Sequence, residues 1–242
     1  MNSYLEAITS LGYGNLHPGG FSHSIKVMSG IPIASNSIIL DIGCGTGRTA
    51  CYLSKTRGAY VFGLDISQKM IEKAQARNLR AGTEAQFIVG NALDMPFRDE
   101  VADIVLIESL LIFLPAEEVL KECRRVLKAG GIIVDIEMTA GRTLPDQARQ
   151  QIKRVCGLPE FLSLEEYASL YENAGFKKIR VERRNLPGPL AGLKEMLHID
   201  RHRAVAKEKM SPELINILLQ YRLLTIANRQ HLGFGTFIYK KS

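Results

Sequence analysis

From residue 37 onward, short apolar runs alternate with stretches in which apolar side chains recur with the period of a helix. Consecutive apolar positions are typical of strands that are buried on both faces of a parallel sheet. Strands that alternate with helices predict an α/β fold, a doubly wound sheet with helices on both faces. The strands predicted in this part of the chain are residues 37–41, 60–65, 86–89, 104–108 and 131–137.

Local sequence features mark the helices between these strands. Ser67 is placed to cap a helix whose inward stripe begins at Met70, and Pro115 stands at the first position of another helix. Gly130 and Gly131 are expected to end that second helix, because glycine is favoured just beyond a helix C-terminus. The predicted helices are residues 46–55, 67–81 and 115–127.

The pattern changes in the last hundred residues. Ser163 and Glu166 predict a capping box at the start of a helix, and residues 178–184 then alternate polar and apolar side chains, as an edge strand does. A long, mainly helical stretch follows over residues 190–231, within which Ser211 is placed to cap a helix.

These elements are expected to form one domain. Its predicted parts are an N-terminal cap (1–36), a core (37–188), a helical lid insertion (189–233) and a last strand (234–242) that contains the run GTFIYK. With 46% apolar and 23% charged residues, the chain has the composition of an ordinary globular protein. The longest apolar run is too short for a membrane span, and the N-terminus lacks the order of a secretory signal, so a cytoplasmic location is expected. Four cysteines without a C-x-x-C pair predict reduced thiols, with Cys123 buried on a helical stripe.

A glycine-rich loop follows the first strand, in the run IILDIGCGTGR over residues 38–48. Glycines in such a loop let the backbone turn sharply and approach a ligand closely. A dinucleotide fingerprint requires G-x-G-x-x-G, but the sixth position here is Arg48. Asp41 discriminates further, because a carboxylate that points into this cleft would repel a pyrophosphate and attract a cation, directly or through water. The loop therefore predicts S-adenosylmethionine, which carries a sulfonium and an ammonium and no phosphate.

Further candidate ligand contacts follow the second and third strands. Asp65 is placed to accept hydrogen bonds from both ribose hydroxyls of a nucleoside. Ile66 and Met70 would pack on the adenine face, and Asn91 or Asp94 would accept a hydrogen bond from the exocyclic amine.

Five strings together, ILDIGCGTG, GLDIS, VGNALDMPF, ESLLIFLP and LKAGGIIVDIE, resemble the class I S-adenosylmethionine-dependent methyltransferases over residues 37–137. The resemblance implies seven strands, mostly parallel, with the last one antiparallel between the fifth and the sixth. It implies S-adenosylmethionine as cofactor and S-adenosylhomocysteine as product. It also implies cofactor contacts, which are Asp41, Gly43, Cys44, Gly45 and Gly47 at the methionine half, Asp65 at the ribose, Asn91 and Ala92 at the adenine, and Glu108 and Ser109 near the sulfonium. Asn91 departs from the aspartate common in the family but keeps an acceptor oxygen.

Upstream, the run LHPGG, with His17, Gly19 and Gly20, resembles a short motif in one group of these enzymes. There the N-terminal segment closes over the cofactor, so these three residues are expected at the cofactor site. The alternative interpretation is a plain turn before a helix that begins near Ser22.

Catalysis of methyl transfer requires chiefly alignment, worth about 7 to 11 kcal/mol in favourable cases, because the electrophile is already activated. An acceptor hydroxyl or acidic carbon would also benefit from a general base. The candidates are His17, Glu108, His198 and His202, with His23 and His231 as further ones, and a structural role is the alternative for each histidine. His198 and His202 share a helical face, but Ile199 stands where the H-E-x-x-H motif has glutamate, so no metal is expected.

The acceptor site is expected beyond the carboxyl ends of the strands, as in other doubly wound sheets. The N-terminal 30 residues, residues 138–151 and residues 190–231 would then roof it. The alternative for the last stretch is a helical extension used for homodimer formation. Its charge run is expected on a solvated helix face and consists of Arg201, Arg203, Lys207 and Lys209.

The leading hypothesis is methylation of a small metabolite, without a membrane or nucleic-acid partner. An RNA or protein methyltransferase is the first alternative, because the net charge is +6 and residues 177–184 are rich in lysine and arginine. The run ESLL in place of N-P-P-Y and the absence of tryptophan argue against action on nucleic acid. An NAD-dependent oxidoreductase and a non-catalytic cofactor-binding subunit are the remaining alternatives.

Overall fold

The centre of the protein is a mixed sheet, and the computed structural model describes residues 3–11, 17–186, 188 and 211–242. Within these residues the strands are β1 (Ile38–Ile42), β2 (Tyr60–Asp65), β3 (Gln86–Val89), β4 (Ala102–Glu108), β5 (Leu127–Ala140), β6 (Phe176–Asn185) and β7 (Leu232–Lys241). They form one seven-stranded sheet in the order β3-β2-β1-β4-β5-β7-β6. β1 to β5 pair in parallel, and β7 is antiparallel to both neighbours. The doubly wound sheet, the edge position of β6 and the inserted antiparallel last strand are confirmed.

Helices cover the sheet and close one of its ends. They are α1 (Ser3–Leu11), α2 (Gly20–Ser29), α3 (Arg48–Arg57), α4 (Gln68–Ala81), α5 (Ala116–Val126), α6 (Asp146–Cys156), α7 (Leu164–Asn173) and a C-terminal helix (Pro212–Ala227), with short 3-10 turns at Leu111–Phe113 and Arg229–His231. The side chains of Ser67, Ser163 and Ser211 each accept a hydrogen bond from a first-turn backbone N–H, and Ser163 forms its capping box with Glu166. The predicted caps are therefore confirmed.

The boundary between α5 and β5 differs from the prediction. Gly130 and Gly131 were expected to end the helix, but α5 already ends at Val126 and the next residue is extended. Leu127 pairs with Ala102 of β4, and the register of the two strands shifts immediately afterwards. The prediction was wrong because strand pairing, and not a glycine cap, satisfies the backbone at the helix end.

Two apolar clusters hold the helices against the faces of the sheet. On one face, Cys123 of α5 and Tyr171 of α7 are fully buried against β4, β5 and β7, and burial of Cys123 is confirmed. On the other face, Val27 of α2 and Leu53 of α3 pack against β1 and β2. Full burial of an aliphatic side chain such as that of Leu53 stabilises the fold by about 1.5 to 3 kcal/mol. The four cysteines, all of them within the described residues, form no disulfide.

A third apolar cluster lies at the carboxyl end of the sheet. It joins Tyr4 of α1, Met138 of β5 and Ile152 of α6 to the inner face of the C-terminal helix, including Tyr221. This cluster places three helices over the ends of the parallel strands. In the described parts of the chain, no helix combines the length and apolar character that a membrane span requires.

Candidate functional site

A cavity of about 260 Å³ opens beyond the carboxyl ends of the parallel strands. In a doubly wound sheet this is the place where loops converge to bind ligands. One end of the cavity is polar and is formed by the loops after β1, β2, β3 and β4. The other end, which we name the apolar chamber, is lined by Tyr4, Ile8, Ile112, Phe113, Met138, Ile152, Cys156, Leu158 and Tyr221.

The glycine loop forms the wall next to β1. The backbone N–H groups of Gly43 and Cys44 donate to the carbonyl oxygen of Leu64 at 2.8 and 3.0 Å, which ties the loop to β2. Gly45 has a φ of 52°, and a Cβ atom there would meet nothing within 4 Å. The loop therefore leaves open space at Gly45 for a ligand. Gly47 does not line the cavity, because it caps α3 and its Cβ position is filled by the ring of Phe87 at 2.6 Å.

Asp65 ends β2 and presents its carboxylate to the cavity. Its two oxygens accept hydrogen bonds from the backbone N–H groups of Gly45 and Ser67, both at 2.9 Å. Burial raises the pKa of Asp65, whereas these two hydrogen bonds lower it by favouring the ionised form. Each oxygen keeps a lone pair for a further donor, so a vicinal diol can bind here.

Glu108 and Ser109 form the floor at the end of β4. Oε2 of Glu108 accepts a hydrogen bond from the Thr49 hydroxyl at 2.8 Å. Within the described residues, Oε1 of Glu108 and Oγ of Ser109 are buried without a hydrogen-bond partner. Ser109 also has a φ of 56°, a strained conformation for a residue with a side chain. Unpaired buried acceptors are costly, so this floor fits a ligand that brings a cationic donor.

A second buried carboxylate supports that floor from below. Oε1 of Glu137 accepts hydrogen bonds from the backbone N–H groups of Leu110 and Leu111 at 2.6 and 2.7 Å. Burial, followed by the charge of Asp135, raises the pKa of Glu137. Glu137 thereby fixes the turn that follows Ser109 and does not itself line the cavity.

Asp41 was expected to face the cleft, but it points away from it. It is 2% exposed, is not part of the cavity wall, and accepts a hydrogen bond from the backbone N–H of Ala50. Burial, together with the charges of Glu108 and Asp65, raises its pKa. The side chain therefore satisfies a free N–H in the first turn of α3 from behind the loop. The structure therefore contradicts the prediction that Asp41 points into the cleft, where it would contact the ligand directly or through water.

The N-terminal motif contributes only part of what was predicted. His17 lines the cavity, whereas Gly19 and Gly20 do not, and Gly19 takes a φ of 84° at the start of α2. A Cβ atom at Gly19 would lie 2.9 Å from His23. Gly19 and Gly20 form the turn that leads into the helix, and their contact with the cofactor stays a prediction. This helix begins at Gly20 and not near Ser22.

The other candidate histidines are separate from the cavity or lie outside the described residues. His23 is buried at 2.9 Å from the Thr236 hydroxyl, and burial lowers its pKa to about 4. His231 is hydrogen-bonded to Thr143 at 2.8 Å and does not line the cavity. His198 and His202 lie outside the described residues, as do Arg201, Arg203, Lys207 and Lys209.

The predicted adenine residues are gathered at the far polar end of the cavity. Ile66, Met70, Asn91 and Ala92 line the wall, and Asp94 does not. Oδ1 of Asn91 accepts a hydrogen bond from the backbone N–H of Leu93 at 3.0 Å, which holds the amide in the turn after β3.

The apolar chamber was missed by reasoning from the sequence. Tyr4 and Ile8 recur at helical spacing on α1, and Ile152 and Cys156 do so on α6. The sequence therefore contains the signal for both apolar helix faces. Nothing local shows that these faces meet each other and the C-terminal helix.

The comparisons with known proteins agree with this geometry. Residues 40–135 match the family described as "Methyltransferase domain". The "Uncharacterized methyltransferase YodH" of Bacillus subtilis is 32% identical over 181 residues, which cover 74% of this chain and 76% of that protein. The "Demethylmenaquinone methyltransferase" of Lactiplantibacillus plantarum is 29% identical over 198 residues, covering 70% and 84% of the two chains. A solved structure of Haemonchus contortus phosphoethanolamine N-methyltransferase 2 with S-adenosyl-L-methionine superposes with a TM-score of 0.73 at 20% identity, over 99% of this chain and 56% of that one.

Proposed function

Because this chain belongs to the class I S-adenosylmethionine-dependent methyltransferases, we propose that it methylates a small, largely apolar metabolite. The observation that carries the proposal is one continuous cavity that is polar at the glycine loop and apolar beneath α1, α6 and the C-terminal helix. The polar end suits the cofactor and the apolar chamber suits the acceptor. One relative is named a demethylmenaquinone methyltransferase, which supports methyl transfer to a small molecule.

The polar end carries the groups that the cofactor requires. We assign Asp65 to the ribose hydroxyls, the open face of Gly45 to the methionine half, and Asn91 with Ala92 to the adenine. Oε1 of Glu108, which has no hydrogen-bond partner among the described residues, is assigned to the ammonium. Gly43, Cys44 and Ser109 complete the wall around the methionine half, and Ile66 and Met70 flank the adenine.

The contribution of the protein to catalysis is alignment. When bound, S-adenosylmethionine supplies a methyl group that is activated by its sulfonium for in-line displacement. The glycine loop and the floor at Glu108 fix one partner, and the chamber walls orient the other and exclude water. Holding two reactants in this way lowers a barrier by about 7 to 11 kcal/mol in favourable cases.

His17 is the best-placed general base among the described residues. Its Nδ1 atom lies 3.2 Å from the carbonyl oxygen of Pro18, so a proton on Nδ1 donates there and leaves Nε2 as an acceptor. Nε2 lies 3.1 Å from the Ser24 hydroxyl and 3.8 Å from Glu108 Oε1. We assign His17 to accept the proton of a hydroxyl or acidic carbon through Nε2. His198 and His202 remain candidates outside the described residues.

The C-terminal helix is proposed as the roof of the acceptor site, as expected for the lid insertion (189–233). Its inner face packs with α1 and α6 in the third apolar cluster, and Tyr221 reaches the cavity wall. A purely dimer-forming extension would not require a side chain in the cavity.

The experiment is a methylation assay with S-adenosylmethionine and a panel of acceptors, read by S-adenosylhomocysteine formation and by the mass of the product. The panel contains neutral apolar phenols and quinols, their carboxylate and phosphate counterparts, and RNA. We expect turnover only with the neutral apolar compounds. Turnover confined to RNA or to charged metabolites would overturn the proposal, as would the absence of cofactor binding.

A further inference from the structure

Two phenols face each other inside the apolar chamber, where α1 meets the C-terminal helix. The ring centroids of Tyr4 and Tyr221 are 4.9 Å apart with an interplanar angle of 61°, an edge-on arrangement. On its other side the Tyr4 ring lies 6.0 Å from that of Phe113, nearly parallel to it. Both tyrosines line the cavity, and the contacts between their rings hold the rings in its wall.

The Tyr221 hydroxyl of this pair has a weak hydrogen-bond partner. Burial raises the pKa of both phenols, that of Tyr221 to about 12, so both are neutral donors near pH 7. The nearby Tyr221 hydroxyl raises the pKa of Tyr4 further. The Tyr221 hydroxyl donates to the sulfur of Met138 at 3.5 Å. A thioether is a weak acceptor, so a ligand oxygen that accepts this proton would gain a hydrogen bond at little cost.

The described surroundings of the pair favour an uncharged ligand. The described residues that line the cavity include no lysine or arginine, and its carboxylates, Asp65 and Glu108, belong to the polar end. The wall also includes Ile112, Ile152 and Leu158, which belong to the same apolar cluster as Tyr4. An anionic methyl acceptor would lose its hydration against these apolar side chains and would be repelled by the two carboxylates. A neutral acceptor would only transfer apolar surface from water into the chamber, which is favourable.

Building on the proposed function, we propose that the Tyr4–Tyr221 pair is the recognition point for a hydrogen-bond-accepting oxygen of the methyl acceptor. The acceptor is then an uncharged, mainly apolar molecule that carries a carbonyl, ether or quinone-type oxygen. Tyr221 is the donor to this oxygen, and Tyr4 positions the Tyr221 ring and hydroxyl.

The test uses three probes of one shape in equilibrium dialysis against the enzyme saturated with S-adenosylhomocysteine. The probes are acetonaphthone, a neutral ketone, its hydrocarbon analogue ethylnaphthalene, and the anion naphthoate. Tyr221→Phe removes only the hydroxyl, and Tyr60→Phe, at a residue that is 63% exposed on the surface, is the matched control. Affinity for S-adenosylhomocysteine, measured by calorimetry, reports whether each variant keeps its fold and cofactor site.

The wild-type enzyme and Tyr60→Phe are expected to prefer the ketone over the hydrocarbon by about threefold to tenfold and to bind the anion most weakly. In Tyr221→Phe the preference for the ketone disappears, while affinity for the hydrocarbon stays the same. The inference would be overturned if the wild type bound ketone and hydrocarbon equally, or if the preference for the ketone survived in Tyr221→Phe. It would also be overturned if the anion bound most strongly or if no probe bound. If the wild type did not bind S-adenosylhomocysteine at all, the proposed function itself would be overturned. Failure of the inference and failure of the proposed function are therefore distinguishable.

Discussion

The Nε2 atom of His17 lies 3.8 Å from Oε1 of Glu108, across the floor of the cavity. One residue precedes α2 and the other ends β4, so this approach joins the N-terminal segment to the centre of the sheet. The same Glu108 oxygen has no hydrogen-bond partner among the described residues. A cationic group that enters the floor therefore meets a carboxylate that is already positioned.

Glu108→Gln is expected to weaken binding of S-adenosylhomocysteine by about 1.5 to 3 kcal/mol, the usual value of a hydrogen bond to a charged group. Calorimetry with S-adenosylhomocysteine and with an analogue that lacks the α-amino group makes the comparison specific. The wild type should bind the analogue without the amino group more weakly than S-adenosylhomocysteine. Glu108→Gln should bind the two ligands with nearly equal affinity.

Glu84→Gln, at an exposed residue outside the cavity wall, is the control for a general effect of charge. If Glu108→Gln discriminated the two ligands as strongly as the wild type does, the assignment of Glu108 to the ammonium would be wrong.

Asp65→Ala is expected to weaken cofactor affinity by about 1 to 3 kcal/mol, because the substitution removes the acceptors assigned to the ribose hydroxyls. It also leaves the backbone N–H groups of Gly45 and Ser67 without their present acceptor. Asp94→Ala, which removes a nearby carboxylate outside the wall, serves as the control. Unchanged affinity of Asp65→Ala in calorimetry would contradict the ribose assignment.

Alanine at two glycines of the loop should separate ligand binding from folding. At Gly45 the new Cβ atom would enter open space in the cavity, so Gly45→Ala should reduce cofactor affinity and cost about 1 kcal/mol of stability through its positive φ. At Gly47 the Cβ atom would lie 2.6 Å from the ring of Phe87 and 2.9 Å from Ala74. Gly47→Ala should therefore cost about 1 to 3 kcal/mol more in the free energy of unfolding, measured in urea.

An equal loss of stability in the two glycine variants would show that the side chains of Phe87 and Ala74 move to accommodate the new Cβ atom at Gly47. Unchanged cofactor affinity in Gly45→Ala would show that the ligand does not approach this part of the backbone.

His23 should make the fold sensitive to acid. Burial, followed by the charge of Arg184, lowers its pKa from 6.5 to about 4. Between these values the unfolded chain binds more protons than the native one, so stability decreases as the pH falls through this window. His23→Gln removes the titrating ring, and its loss of unfolding free energy from pH 7 to pH 4.5 should be smaller by about 2 to 3 kcal/mol than that of the wild type.

The comparison with the variant is necessary because Asp135 acts in the opposite direction. Burial raises the pKa of Asp135 to about 8, so its contribution to stability falls as the pH rises from about 4 to 8. This contribution is shared by the wild type and His23→Gln and cancels between them. Equal acid sensitivity of the two proteins in urea unfolding would contradict the buried, neutral state of His23.

Local features of the sequence determined the elements and the polar end of the cavity. Apolar runs, serine caps and the glycine loop depend on hydrogen bonds and contacts between residues a few positions apart. They can therefore be predicted without tertiary structure. Gly45 and Asp65 are brought together because each directly follows or ends a parallel strand, and neighbouring parallel strands end at the same edge of the sheet.

Tertiary structure alone decided which way side chains point and which helices meet. Asp41 turns toward the N–H of Ala50 because α3 covers that face of β1, and a strand pattern does not specify the face on which a helix will supply a donor. The approach of His17 to Glu108 and the contact of Tyr4 with Tyr221 join segments that are distant in the chain. Such pairs form only when packing of the whole domain buries their helices together, because no local hydrogen bond or periodicity links them.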